Sequence, residues 1–260
     1  MKLIFLGSGG GRFVTMTQKL ATGGTIIEMD GEMIHYDPGP GALVHAKEYG
    51  IDLRKLTGII ISHAHPDHYT DAEVVSIAMT RGAKQKRGFF LSNEYVFKGS
   101  NDGKYRPAIS QYSLDYVKFH RIMNPGDSVN INKLKITAVH ASHGDPKALG
   151  FVLKGSVKLG LTGDGEYYNS MAANYKGCDY LIINCLRPRT ETWPRHMNAD
   201  GAKRLIEGVQ PKAAILKDFG MKMLGGVAEK EAKWIEGSTG VKTIAAKDGM
   251  RIDSQSLSTS

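Results

Sequence analysis

The chain has 260 residues, enough for one large domain or two small ones around a sizeable core. With 41 % hydrophobic and 23 % charged residues it has the composition of an ordinary globular protein, which excludes disordered and membrane-embedded classes, and no apolar run approaches a membrane span. A net charge of +8 permits an anionic substrate, nucleic acid included, without requiring one.

Residues 1–6, MKLIFL, hold a short apolar run that stops at Gly7, too short for the core of a signal peptide. The only two cysteines, Cys178 and Cys185, are not paired by any sequence pattern. Together these features predict a cytoplasmic protein with structural thiols. Lys2–Leu6 reads as a first strand opening into Gly7-Ser8-Gly9-Gly10-Gly11-Arg12. No Gly-Lys-Ser/Thr follows and no helix is expected there, so the stretch reads as backbone passing close to a metal centre rather than a nucleotide loop. Thr25–Met29 and Met33–His35 are expected strands joined by an Asp30-Gly31 hairpin turn. Asp37-Pro38-Gly39-Pro40-Gly41 then breaks the sheet before a helix over about Ala42–Tyr49.

The β-branched run Ile59-Ile60-Ile61 reads as a buried strand and leads into Ser62-His63-Ala64-His65-Pro66-Asp67-His68. On an extended backbone successive side chains alternate faces, so His63 and His65 point the same way. Pro66 turns the chain, and Asp67 and His68 fall at the mouth of a helix. Two imidazoles are thereby offered to one cation, with a carboxylate and a third imidazole near enough for a second. Zn and similar divalent ions take such nitrogen and oxygen sets, and a catalytic site keeps one position for water.

This His63-x-His65-x-Asp67-His68 run after an Ile-rich strand resembles the H-x-H-x-D-H signature of the metallo-β-lactamase superfamily. The strand–hairpin–Asp37-Pro38-Gly39 entry resembles it too, which makes Asp37 a brace for the metal loop.

Downstream, Asp71–Met79 reads as a helix and Gly88–Leu91 as a short strand. Residues 92–113 lack a clean period and hold Tyr95, Phe97, Tyr105 and Tyr112 among Lys98, Lys104 and Arg106, as a lid or binding loop would. Asp115–Phe119, Ser128–Ile131 and Leu134–Val139 alternate like strands. The resemblance places the third histidine of the first metal site at His143, and leaves His140, His120 and His35 as strand or packing residues. After a strand at Val157–Leu161, Thr162-Gly163-Asp164 resembles the motif whose carboxylate bridges two metals, a role that suits one anion shared by two cations.

Tyr180–Asn184 reads as a buried strand leading to Arg187-Pro188-Arg189-Thr190-Glu191-Thr192-Trp193-Pro194-Arg195-His196, ahead of a helix over about Ala199–Gly208. In the ribonuclease Z and phosphodiesterase branches a histidine opens this helix. His196 matches it, and Glu191 is a looser match to the partner that some members use in a proton relay. Three arginines beside Trp193 suit a phosphate and a stacked base. In Ala213–Gly220 the family's Leu-Thr-His-Phe is replaced by Leu216-Lys217-Asp218-Phe219. Asp218 as a ligand would make the second site richer in oxygen and friendlier to Mn or Fe, while Lys217 would partly neutralise it. An amphipathic helix at about Gly226–Glu236, two short strands and a frayed polar tail, Ser254–Ser260, complete the expectation.

No repeat or linker divides the chain, so a single domain over 1–260 is expected, with pseudo-halves of about 1–135 and 136–260. The pattern alone gives a mixed α/β class; the resemblance implies the four-layer αββα sandwich of the metallo-β-lactamase fold. It also implies a hydrolase with two divalent ions, Zn first and Mn or Fe as alternatives, held by His63, His65, Asp67, His68, His143, Asp164 and Asp218. Asp67 then orients the attacking water and His196 protonates the leaving group. The substrate expected first is a phosphodiester, as a cyclic or small nucleotide or an RNA 3′ end. A thioester or lactone hydrolase, and a non-catalytic metal sensor, are the alternatives. No membrane partner is expected, and homodimers are common in the superfamily.

Overall fold

A computed structural model describes residues 1–257 of the protein. In it, side-chain alternation on the strands decides the architecture, because both faces of the central strands of each sheet are buried. β1 (Lys2–Phe5), β2 (Thr25–Met29), β3 (Glu32–Tyr36), β4 (Gly58–Ile60), β5 (Phe89–Ser92) and β6 (Phe119–Ile122) lie in the first sheet. β7 (Ser128–Ile131), β8 (Leu134–His140), β9 (Leu149–Lys154), β10 (Lys158–Leu161), β11 (Tyr180–Asn184), β12 (Ala213–Lys217) and β13 (Lys242–Ala245) form the second. β14 (Arg251–Asp253) returns to the first sheet, giving the orders β14-β1-β2-β3-β4-β5-β6 and β13-β12-β11-β10-β9-β8-β7.

One residue set from each sheet meets between them: Phe5, Ile27, Ile34 and Leu91 pack against Ile136, Phe151, Leu161, Ile182 and Ile215. The alternate set faces outward under helices. Ile4, Ile26, Ile59 and Phe90 lie in one cluster with residues of α2 (Ala42–Glu48) and α4 (Ala72–Met79). On the other side Val152, Leu181, Ile183 and Leu216 pack with α8 (Ala199–Val209) and α9 (Val227–Thr239). The result is a four-layer αββα sandwich, the fold class expected. Full burial of a single Leu, Ile or Phe contributes about 1.5–3 kcal/mol, enough for the core to hold strained loops at its edge.

Four segments differ from the sequence expectation. A helix, α1 (Gly11–Thr17), does follow the glycine-rich turn. It buries only Val14 and has no side-chain cap, so it leaves almost no periodic trace. Asp115–Phe119 is not a strand. Ser110 accepts a hydrogen bond from the Ser113 amide and starts α6 (Gln111–Asp115), and pairing resumes at β6. Residues 92–113 carry α5 (Glu94–Lys98), capped by Asn93, before the turns that lead to α6. At the end of the chain, Ser254–Leu257 forms a helical turn, α10, with Leu257 buried, where fraying was expected; the rest of that tail, residues 258–260, lies outside the described residues. Both cysteines are free and buried, and burial pushes the Cys178 thiol up to about 11. Among the described residues, no helix is long and apolar enough to cross a membrane.

β3 to β6 run parallel, as do β10 to β13. Parallel strands deliver their carboxyl ends to one edge, where loops diverge and leave a crevice. β4, β10, β11 and β12 end there at Ile60, Leu161, Asn184 and Lys217, and β8 ends nearby at His140. Every residue expected at the site lies on a loop leaving one of these strands or β3, or at the start of the helix that follows.

Candidate metal centre

The loop after β4 carries His63, fully buried, and His65, which stands at the N-cap of a one-turn helix, α3 (Pro66–Tyr69), with Pro66 in its first turn. His63 Nε2 lies 2.9 Å from His65 Nδ1, and His143 Nε2 lies 3.0 Å from the same atom. Ligand atoms of three sets, His63–His65–His143, His63–His68–Asp164 and His143–Asp164–His196, each fall within 4.8 Å of one another.

The ring orientations follow from the other nitrogens. A carbonyl only accepts, so His143 Nδ1 must donate to Arg195 O (2.8 Å) and His196 Nδ1 to Pro194 O (3.0 Å). His68 Nδ1 donates to Asp37 Oδ2 (3.0 Å). Ser62 Oγ spends its proton on Asp37 Oδ2 (2.9 Å) and therefore accepts from His63 Nδ1 (2.9 Å). Four imidazoles are thus anchored through Nδ1 and turn Nε2 toward the centre, the arrangement in which outer partners orient metal ligands. Asp37 also accepts the Ser62 amide at 2.7 Å, so this one carboxylate braces the histidine loop at three points.

Burial disfavours the charged form of the first three rings. It drives His63 well below its ordinary range, pulls His65 down to about 4, and lowers His143. All three are neutral near pH 7, the form that ligates a cation. His68 differs: burial pulls it down, but Asp164, Asp67 and Asp37 outweigh that and hold it well above the usual range. Asp164 is itself held well below the carboxylate range, since the surrounding imidazoles, His68 first, overcome its burial.

Asp218 follows β12 in a left-handed conformation (φ 65°) and is buried. Burial, then repulsion from Asp164, raises its carboxyl well above the ordinary value. A Cβ built on Gly10 would stand 2.1 Å from the Asp218 carboxylate carbon, so only glycine lets the turn pass there. Asp67 Oδ2 accepts the Gly11 amide (3.1 Å) and lies 3.8 Å from His68 Nε2. Neither Asp67 nor Asp218 belongs to the three tight sets, though both adjoin them.

These residues fit a divalent cation. His68 Nε2 and Asp218 Oδ2 are buried with no hydrogen-bond partner, and buried polar atoms in native proteins are rarely left so. Neutral imidazoles and carboxylates converge here with only His68 and the neighbouring Lys217 as positive groups, a donor set that an added cation would complete.

His196 reaches the centre from the loop before α8, with Nε2 3.6 Å from Asp164 Oδ2. Glu191 does not join it: its carboxylate lies 3.8 Å from Arg187 and 3.6 Å from Lys222. His140 stays outside against Tyr168, His120 stacks near Phe97, and His35 donates to Gly23 O. Lys217 is buried with its ammonium 5.9 Å from the Tyr36 ring centroid. In the 92–113 segment, Tyr105 OH donates to Gly144 O (3.3 Å) and its ring lies 6.0 Å from His65.

Sequence reasoning missed three supports. Asn184 Nδ2 donates to Asp164 Oδ1 at 2.6 Å. Its signal was a polar residue closing the otherwise apolar run Tyr180–Ile183. Asp145, fully buried, accepts from the Ala64 amide, Asn93 Nδ2 and the Lys147 amide, tying the first histidine loop to the His143 loop. The Arg195 carbonyl is the third, set by a left-handed backbone at Arg195 (φ 60°) that no residue type announces. A cavity of about 280 Å³ opens beside the cluster, with Gly10, Phe13, Asp67, Arg187, Trp193 and His196 among its walls.

Residues 32–217 match the family described as the Beta-lactamase superfamily domain. An uncharacterized protein of Methanocaldococcus jannaschii is 37 % identical over 256 residues, covering 97 % of this chain and 95 % of its own length. A ribonuclease Z of Pyrococcus abyssi is 29 % identical over 160 residues, 59 % of this chain, and the match spans 48 % of that protein. Among solved structures, the metallo-β-lactamase fold protein YhfI of Bacillus subtilis aligns with a TM-score of 0.78 at 20 % identity, over 96 % of this chain and 98 % of its own. The short form of human tRNase Z aligns with a TM-score of 0.71 at 14 % identity, over 97 % of this chain and 99 % of its own. At these identities the two structures speak for the fold.

Proposed function

The chain belongs to the metallo-β-lactamase superfamily of hydrolases, and on that premise we propose that it is a metal-dependent phosphodiesterase of the ribonuclease Z-like branch. The observation that carries this reading is His196 Nε2, fixed 3.6 Å from Asp164 at the mouth of the histidine cluster, with Arg187 lining the same cavity.

His63, His65 and His143 with Asp164 would hold one divalent ion; Asp67, His68 and Asp218, sharing Asp164, would hold a second. Bound cations supply a Lewis acid that brings the pKa of water toward neutrality and balances charge on a phosphoryl oxygen. Asp67, held by the Gly11 amide, accepts a proton from the attacking water. The water oxygen bonds to phosphorus, the ester P–O bond breaks, and the leaving oxygen takes the proton that His196 donates. One diester and one water thus give a monoester and an alcohol. Arg187 faces the non-bridging phosphate oxygens.

A cytoplasmic enzyme acting on a nucleotide ester follows from this reading, with self-association into a dimer measurable by light scattering. The test is the metal-loaded protein on bis(p-nitrophenyl) phosphate, a simple thioester and a lactone, alongside elemental analysis. Two ions per chain and turnover of the diester are expected. Turnover of thioester or lactone alone would overturn the substrate class, and one tightly held ion with no ester turned over would mark a sensor.

A further inference from the structure

The cavity beside the histidine cluster has an apolar wall that the hydrolytic centre does not use and a cationic wall that it shares. Its apolar wall comes from Phe13 on α1 and Trp193 on the loop before α8, and both rings are unusually open, 58 % and 46 % exposed. Large apolar rings left in water beside a catalytic cluster mark a surface that a ligand covers. Its polar wall is Arg187. That side chain is only 13 % exposed, yet its Nε is buried without any hydrogen-bond partner. The nearest carboxylate, Glu191, is 3.8 Å away, too far for a hydrogen bond. A nearly desolvated guanidinium whose ion pair is that loose leaves positive charge uncompensated at the cavity wall, where an anion would balance it. The Arg187 guanidinium also lies 4.9 Å from the Trp193 ring centroid, so the ring is held on one side and free on the other.

From these observations we infer that the cavity is a slot for one nucleobase-sized aromatic group of the substrate. The natural ester is then a mononucleotide-sized phosphodiester, with its flat ring against Trp193 and Phe13 and a phosphate oxygen at Arg187. At about 280 Å³ the cavity has room for one ring and its phosphate. Gly10 and Gly11, lining the same cavity, keep the wall thin enough for the phosphate to reach Asp67 and His196.

The slot deepens the phosphodiesterase reading and rests on it, but the two can fail separately. Calorimetry on the metal-loaded protein compares adenosine monophosphate, ribose 5-phosphate and inorganic phosphate. Adenosine monophosphate is expected to bind about tenfold tighter than ribose 5-phosphate, as stacking of one base on an aromatic side chain allows. Trp193→Ala should erase that ratio and Trp193→Phe should keep most of it. Arg187→Ala should weaken all three ligands alike. Equal binding of the two sugar phosphates by the unaltered protein, or a ratio unmoved by Trp193→Ala, would overturn the slot. So would a short oligoribonucleotide that binds tighter than adenosine monophosphate with no dependence on Trp193, which would give the site to a polymer. A base-dependent ratio with no diester turned over keeps the slot and removes the reaction. Turnover of bis(p-nitrophenyl) phosphate with no such ratio removes the slot alone.

Discussion

The two sides of the metal centre are prepared by opposite physics. On one side His63, His65 and His143 are made neutral by burial, and the protein bears no charge cost while they wait for a cation. On the other side Asp67, Asp164 and Asp218 surround His68, whose imidazole they hold in its charged form. Asp218 beside them is raised well above the carboxylate range by its burial and by Asp164. On the proposed reading the imidazole side would bind a cation without releasing protons, whereas the carboxylate side would release them. The bracing differs as well: side chains and carbonyls hold the first, while the second adds glycine backbone, Gly10 and Gly11, to the side chains of Asp37 and Asn184.

The largest effect should come from the residue common to both sides. Asp164→Ala is expected to lose both ions and fall to background turnover, while circular dichroism stays unchanged. His63→Ala should lose the first ion only. Elemental analysis separates them, and equal metal loss in the two variants would break the two-sided description. His196 belongs to neither side in the proposed mechanism, so His196→Ala should keep both ions and lose about 10²–10⁴-fold in kcat, the usual worth of a general acid. If the ions go too, its membership in the His143–Asp164 set makes it a ligand.

The contrast explains what sequence could and could not reveal. The cluster of candidate ligands was legible because few side chains bind a divalent cation and the spacing of His63, His65 and His68 was fixed by a strand end and a one-turn helix. Several strands, Thr25–Met29 and Tyr180–Asn184 among them, were legible because apolar and β-branched runs are written in residue types. What stayed hidden was done by backbone. The Arg195 carbonyl, the Gly11 amide and the passage of Gly10 over Asp218 depend on φ angles rather than on letters. α1 and α6 were missed because helices of seven and five residues are too short to show a period. The resemblance offered Glu191 as a loose match to a relay partner of His196, but two cations hold it elsewhere.

A smaller pair of effects sharpens the bracing difference. Asn184→Ala leaves the Asp164 carboxylate free to swing and should cost about 10–100-fold in activity or metal affinity with little change in melting temperature. Asp145→Ala strips three donors of a buried acceptor on the imidazole side and should instead cost about 1–3 kcal/mol of stability for the donors left unpaired, read by denaturant melts. If Asn184→Ala proves the less stable protein, the assignment of orienting and structural roles is reversed.

Asp218→His makes the smallest change in chain and asks the most specific question. The site tolerates it sterically in one respect: a left-handed backbone at φ 65° suits Asp, Asn and His more than other side chains. Chemically it replaces an oxygen donor by nitrogen on the side that otherwise offers only His68 as a nitrogen ligand. Carboxylate-rich sets suit Mn and similar hard ions, whereas imidazole suits Zn. The unaltered protein, reconstituted in equal Mn and Zn, should carry more Mn than the variant, with the excess confined to the carboxylate side. Turnover need change by no more than a few-fold for the metal ratio to shift. A ratio that stays put would mean that Asp218 keeps its proton with metal bound, leaving Asp67, His68 and Asp164 to define that side.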